Sequence, residues 1–121
     1  MLGPMDANRA IANLTEISPQ VRDVVIADAA DEVVGTNAPP ARAEQLVSGA
    51  RRLLESADSV RPAPVAQLEA ATTAGSVFVV RDGEHLIAAT SSPEPTVGLV
   101  FYDLKSCLRS VLELPARDAA A

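Results

Sequence analysis

Aromatic side chains are nearly missing from this sequence: they make up 2% of its 121 residues, as two Phe, one Tyr and no Trp. Any core must therefore be built from Val, Leu, Ile and Ala. There is one cysteine, Cys107, so no intrachain disulfide can form, and a reducing compartment is the simplest setting. There is one histidine, His85, which leaves no second imidazole to share a metal or a proton with it. Lysine is almost absent too. Lys105 is the single Lys among ten basic residues, a bias toward Arg that fits a GC-rich bacterial genome. Basic charge is short overall, with a formal net charge of -6. That balance speaks against nucleic-acid binding, which depends on a basic surface displacing counterions, and against docking on anionic lipid. No basic segment followed by an apolar one marks a signal peptide at the N-terminus. No apolar run approaches the roughly 20 residues that span a bilayer. A cytoplasmic location is the resulting expectation.

What is present suits one folded domain. Hydrophobic residues make up 48% of the chain, and its length leaves little room for a second domain. The expected division is a leader over 1–5, a domain over 6–114 and a tail over 115–121. A chain this short buries only about two-thirds of its unfolded surface, so association with another copy would add stability.

The pattern of apolar residues predicts eight elements. Asp6 is an N-cap candidate for a helix in which Ala7, Ala10, Ile11, Leu14 and Ile17 recur at helical spacing. Ser18-Pro19 breaks it. Val24, Val25 and Ile26 mark a strand over Val21–Ala27 buried on both faces. Asp28 to Asp31 form an acidic turn into a short strand over Glu32–Thr36, making an antiparallel hairpin. The clearest helix follows Pro40, with Ala43, Leu46, Val47, Ala50, Leu53, Leu54 and Ala57 on its apolar stripe. It ends before Arg61-Pro62-Ala63-Pro64. Val65–Ala71 reads as a strand with Ala66, Leu68 and Ala70 on one side and Gln67 and Glu69 on the other. A helix competes there, because Ala, Gln, Leu and Glu are poor strand formers; the short length and flanking prolines favour the strand. Ser76–Arg81 and Glu84–Thr90 flank Asp82-Gly83, a hairpin signal. Val77 and Val79 face one way and Phe78 and Val80 the other, so helices are expected on both sides of the sheet. The last helix runs over Val97–Leu112 with Val97, Val100, Phe101, Leu104, Cys107, Leu108, Val111 and Leu112 on its stripe.

The order α-β-β-α-β-β-β-α, with antiparallel hairpins dominant, is not that of a doubly wound nucleotide fold. Over roughly Ala7–Leu112 it resembles the roadblock (dynein light-chain, longin-like) family of prokaryotic type. Two stretches carry the resemblance. Gly75-Ser76-Val77-Phe78-Val79-Val80-Arg81-Asp82-Gly83-Glu84-His85-Leu86-Ile87-Ala88 looks like the family's central hairpin, and Val97-Gly98-Leu99-Val100-Phe101-Tyr102-Asp103-Leu104 like the opening of its last helix. The resemblance implies a roadblock/profilin-like α/β (α+β) fold: a five-stranded antiparallel sheet with one helix on one face and two on the other. It also implies dimers in which third strands pair edge to edge and second helices pack together. Prokaryotic members are often partners or regulators of small Ras-like GTPases; others are scaffold subunits. The sequence departs at the first hairpin turn, where many relatives carry Asp-Gly and this chain has Asp28-Ala29-Ala30-Asp31.

Some residues support a dimer without the resemblance. The third strand has neither Lys nor internal Pro to protect an open edge, which makes Val65, Gln67, Leu68 and Glu69 interface candidates. On the second helix, Gln45, Gly49, Arg52 and Ser56 share a face away from the stripe. A Gly inside a helix costs about 1 kcal/mol relative to Ala. Close approach of another backbone would offset that cost; otherwise Gly49 is simply tolerated on a solvated face.

No residue set demands chemistry. His85 and Cys107 read as structural or surface and as core packing, respectively. Asp28, Asp31 and Glu32 lack the spacing and Gly of a calcium loop, and read as a solvated turn. Arg51 and Arg52 raise the idea of an arginine finger, against the plainer reading of two exposed arginines beside the stripe. Gly-x-x-x-x-Gly-Lys-Ser/Thr is absent, so the chain should not bind GTP itself. The expectation is a non-enzymatic, cofactor-free homodimer that partners a small Ras-like GTPase. The alternatives are a scaffold subunit without a GTPase and, third, a small-ligand sensor.

Overall fold

The structure is a computed structural model that describes residues 6–60 and 66–112. The expected leader and tail, and Val65, lie outside those residues. Helix α1 (Ala7–Ile17) starts at Asp6, whose carboxylate accepts from Asn8 N at 2.8 Å. Strands β1 (Val21–Ala27) and β2 (Val33–Thr36) form the first hairpin. Helix α2 (Pro40–Val60) starts on a proline, which lacks the N–H that a first-turn residue cannot use. Strands β3 (Gln67–Thr72), β4 (Gly75–Asp82) and β5 (His85–Ser91) form a meander, and helix α3 (Val97–Leu112) ends the described chain. The eight elements follow the expected order, and the segment after the prolines is a strand.

All five strands join one antiparallel sheet in the order β2-β1-β5-β4-β3. The alternation of side chains across the pleat splits the core in two. Val24, Ile26, Phe78, Val80, Ile87 and Ala89 face α1 and α3. Val25, Ala27, Val79, Leu86 and Ala88 face α2. One helix on one face and two on the other is the expected layering. The protein's two Phe residues meet across the α3–β4 contact, Phe78 against Phe101 edge to face at 5.1 Å. Such pairs contribute about 0.5–1.5 kcal/mol beyond their burial.

Helix ends depart from the periodic reading. Ile17 and Val97 fall on their apolar stripes, yet are 68% and 37% exposed. Ile17 is the last residue of α1 and Val97 the first of α3, so each lies at a helix end. The second hairpin loop is also displaced by one residue: Asp82 pairs with His85, so Gly83-Glu84 form the loop rather than Asp82-Gly83. Gly83 has φ +63° and Glu84 is not in that region, which is the pattern of a II′ turn with Gly first.

Asp28-Ala29-Ala30-Asp31 makes a closed turn without glycine. The Asp28 carboxylate accepts from Ala30 N at 2.9 Å and Glu32 N at 3.0 Å, and Asp31 takes φ +62°, a region Asp tolerates better than most residues. Arg51 of α2 completes it. Its guanidinium pairs with Asp31 and donates to the carbonyls of Asp28 (3.1 Å) and Glu84 (3.3 Å). Arg51 thus ties both hairpin turns to α2. It is not the exposed arginine expected from its place beside the stripe: its side chain is only 20% exposed.

Cys107 is buried between α1 and α3, and burial pushes its thiol from an ordinary 9.0 up to about 11. A raised acid pKa means the fold favours the neutral thiol. The contribution is full below pH 9 and is lost as the pH rises through 11. The shift corresponds to roughly 2–3 kcal/mol. Urea unfolding midpoints should therefore fall between pH 9 and 11, and Cys107→Ala should flatten that fall.

Candidate interaction surface

The two edges of the sheet are not equivalent. At β2, Thr36 N donates to the Asn8 side chain at 2.9 Å, so α1 caps that edge. The approach is close: a Cβ on Gly35 would lie 2.5 Å from Ala7 Cβ. Asn37 extends the ladder on the inner side, accepting from Val24 N and donating to Arg22 O, both at 2.8 Å. At β3, by contrast, the six-residue strand Gln67–Thr72 pairs only with β4. Its other side presents backbone donors and acceptors that no described residue satisfies.

Coverage of the α2 face is uneven as well. Helix α2 lies over β1, β2 and β5, and its last turns are held to β4 by Arg81, which donates to both Asp58 oxygens at 2.8 and 3.1 Å. The β3–β4 half of this face is left partly open, so Leu53, Leu68 and Val77 are only half-buried. Val77 was expected under a helix; α2 does not reach far enough to cover it. The result is a groove of about 410 Å³ between α2 and the sheet.

All four helix residues expected at an interface line this groove: Gln45, Gly49, Arg52 and Ser56. Leu53, Val77 and Thr90 also line it and were missed. The signal for Val77 was present in the sequence, because β4 is apolar on both faces. What the pattern did not reveal is how far α2 extends across. Nothing lies within 4 Å of a Cβ placed on Gly49, so no contact within the chain requires glycine there. Arg52 is exposed and, unlike Arg51, lines the groove. On the strand, Leu68 faces the α2 side, while Gln67 and Glu69 face the α3 side. The Glu69 carboxylate accepts from Ser76 Oγ at 2.6 Å.

His85 sits half-buried at the start of β5, opposite Asp82. Among the described residues, no group of three or more His, Cys, Asp or Glu side chains could hold a metal ion, and no helix is long and apolar enough to cross a membrane. What the described residues bring together is an open strand edge beside a largely apolar groove.

No protein-family profile matches the sequence, and no curated protein matches it. Solved structures do match the fold. A Roadblock/LC7 domain from Streptomyces avermitilis superposes with a TM-score of 0.80 at 16% identity, covering 90% of this chain and 97% of that one. MglB of Myxococcus xanthus gives 0.70 at 11% identity, covering 89% and 86%. MglB in a tetrameric arrangement gives 0.67 at 17% identity, covering 88% of each chain. With its helices, five-stranded sheet and strand order, this chain has the roadblock/LC7 fold.

Proposed function

We propose that this chain is a homodimeric, non-enzymatic interaction domain of the cytoplasm that binds a small Ras-like GTPase. The observation that carries the reading is the adjacency of the free β3 edge and the α2 groove on a roadblock/LC7 fold. A second copy added at β3 satisfies the open backbone groups. It also brings a second α2 to the same side of an extended sheet, where Gln45, Gly49, Arg52 and Ser56 of each copy line the contact. Similarity to MglB in a tetrameric arrangement supports self-association. The GTPase partner rests on the resemblance to prokaryotic roadblock domains. The paired α2 helices present a composite surface whose effect on the GTPase follows from binding one nucleotide state better than the other.

The test is capture from native lysate on the purified chain, with GDP and with a non-hydrolysable GTP analogue, read by mass spectrometry. Recovery of a Ras-like GTPase in one nucleotide state supports the reading. Recovery of one fixed set of other proteins in both states overturns it in favour of a scaffold subunit. Arg52→Glu should weaken capture or self-association about tenfold, because the two-fold contact would bring in the reversed charge twice, once from each copy. If neither changes, Arg52 is not at the contact.

A further inference from the structure

The free edge of β3 admits only a few ways of pairing with itself. Arg81 N donates to Ala66 O at 2.8 Å, which sets the phase of the β3–β4 ladder. Leu68, Ala70 and Thr72 then exchange bonds with β4, while Gln67, Glu69 and Ala71 turn their N–H and C=O groups outward. Two identical edges joined antiparallel about a two-fold axis must set outward residues against outward residues. Near the middle of the strand, the axis can pass only through Leu68, Glu69 or Ala70.

The side chains separate these three registers. An axis through Glu69 places two carboxylates directly opposite each other, which is destabilising. An axis through Ala70 sets Glu69 against Ala71, which offers no side-chain donor, and sends Gln67 against Thr73 in the turn beyond the strand. An axis through Leu68 sets each Glu69 against Gln67 of the other copy, whose amide can donate to the carboxylate. It also sets the two Leu68 side chains against each other in a non-hydrogen-bonded pair, the closer of the two pair types. They meet on the α2 side, where Leu68 is incompletely covered. On the opposite side, Gln67 lines a shallow hollow with Arg81, Asp82, Lys105 and Arg109; Arg81 is paired with Asp58, so an arriving carboxylate meets two further cations and one anion.

We propose that a second copy of this chain pairs with β3 in the single register centred on Leu68, selected by the reciprocal Gln67–Glu69 contacts. This rests on the dimeric reading above. The test is oxidative cross-linking of Leu68→Cys and Ala70→Cys, alone and mixed, each in a Cys107→Ala background, with sedimentation of the unmodified chain. A disulfide needs Cα atoms about 4.4–6.8 Å apart. With the axis at Leu68 only the pair of Leu68 positions meets that limit, so Leu68→Cys alone should form covalent dimer fastest. Faster cross-linking of Ala70→Cys alone, or between the two variants when mixed, with a dimer still present, overturns the register alone. A chain that sediments as a monomer overturns the dimer as well. Independently, Gln67→Glu should weaken self-association about tenfold, as two like-charge pairs appear by symmetry. Adding Glu69→Gln should restore it. Unchanged affinity in Gln67→Glu also overturns the proposal.

Discussion

Gly75→Ala should destabilise the fold by roughly 3–5 kcal/mol, the sum of backbone strain and overpacking at one site. Gly75 opens β4 with φ +138°, a conformation that residues with a Cβ rarely adopt. A Cβ there would lie 2.0 Å from the Ser91 carbonyl oxygen, which belongs to the backbone of β5 and cannot rotate away. Relief would require the end of β5 to move. That movement would strain the bond from Ser76 N to Ser91 Oγ at 3.2 Å and the pairing of Ser91 with Val21. The Thr72 hydroxyl, which donates to Gly75 O at 2.6 Å and accepts from Ala74 N at 3.1 Å, ties the same point to the β3–β4 turn. A loss of this size takes a large share of the roughly 5–15 kcal/mol that holds a domain folded. The melting temperature should drop by about 10 °C or more. Gly83 provides the contrast. It has φ +63° with nothing within 4 Å of its Cβ position, so Gly83→Asn should cost no more than about 1 kcal/mol. Equal costs at the two glycines would show that the close approach of Gly75 to Ser91 is not what matters.

That contrast also marks what the sequence made legible. Periodicity is a local property, and it located every helix and strand, because each buries a face whose spacing repeats every 2 or 3.6 residues. It recovered Phe78 and Val80 on one face of β4 and Val79 on the other. It could not recover contacts between residues far apart in the chain. Gly35 against Ala7, Gly75 against Ser91 and Arg51 against Asp31 are each fixed by how finished elements meet. Arg51 and Arg52 are neighbours of the same type on one helix. Yet one is locked to two turns and the other is exposed along the groove, a difference set by a helical step of 100° and the position of the turns. The groove was half legible for the same reason. Its α2 residues follow from helical spacing, whereas Val77 and Thr90 enter because α2 stops short of the β3–β4 half of the sheet.

Gly49→Gln should separate folding from association. In the isolated chain Gly49 is a net cost: it is exposed, lies inside a 21-residue helix and has open space where a side chain would go. Replacing it with a good helix former should raise the stability of the dilute, dissociated chain by about 0.5–1 kcal/mol. If the α2 helices of two copies meet there, the new side chain enters the contact twice, once from each copy. Overpacking of about 1–3 kcal/mol at each position then weakens the dimer about a hundredfold. Denaturation at low concentration and sedimentation across a concentration series read the two effects apart. Gly49→Ala, with one small methyl, should give the same gain in folding with a smaller loss in association. A chain made more stable and no less dimeric by Gly49→Gln would show that the helices do not approach at this point. The β3 edge would then have to hold the two copies together without them.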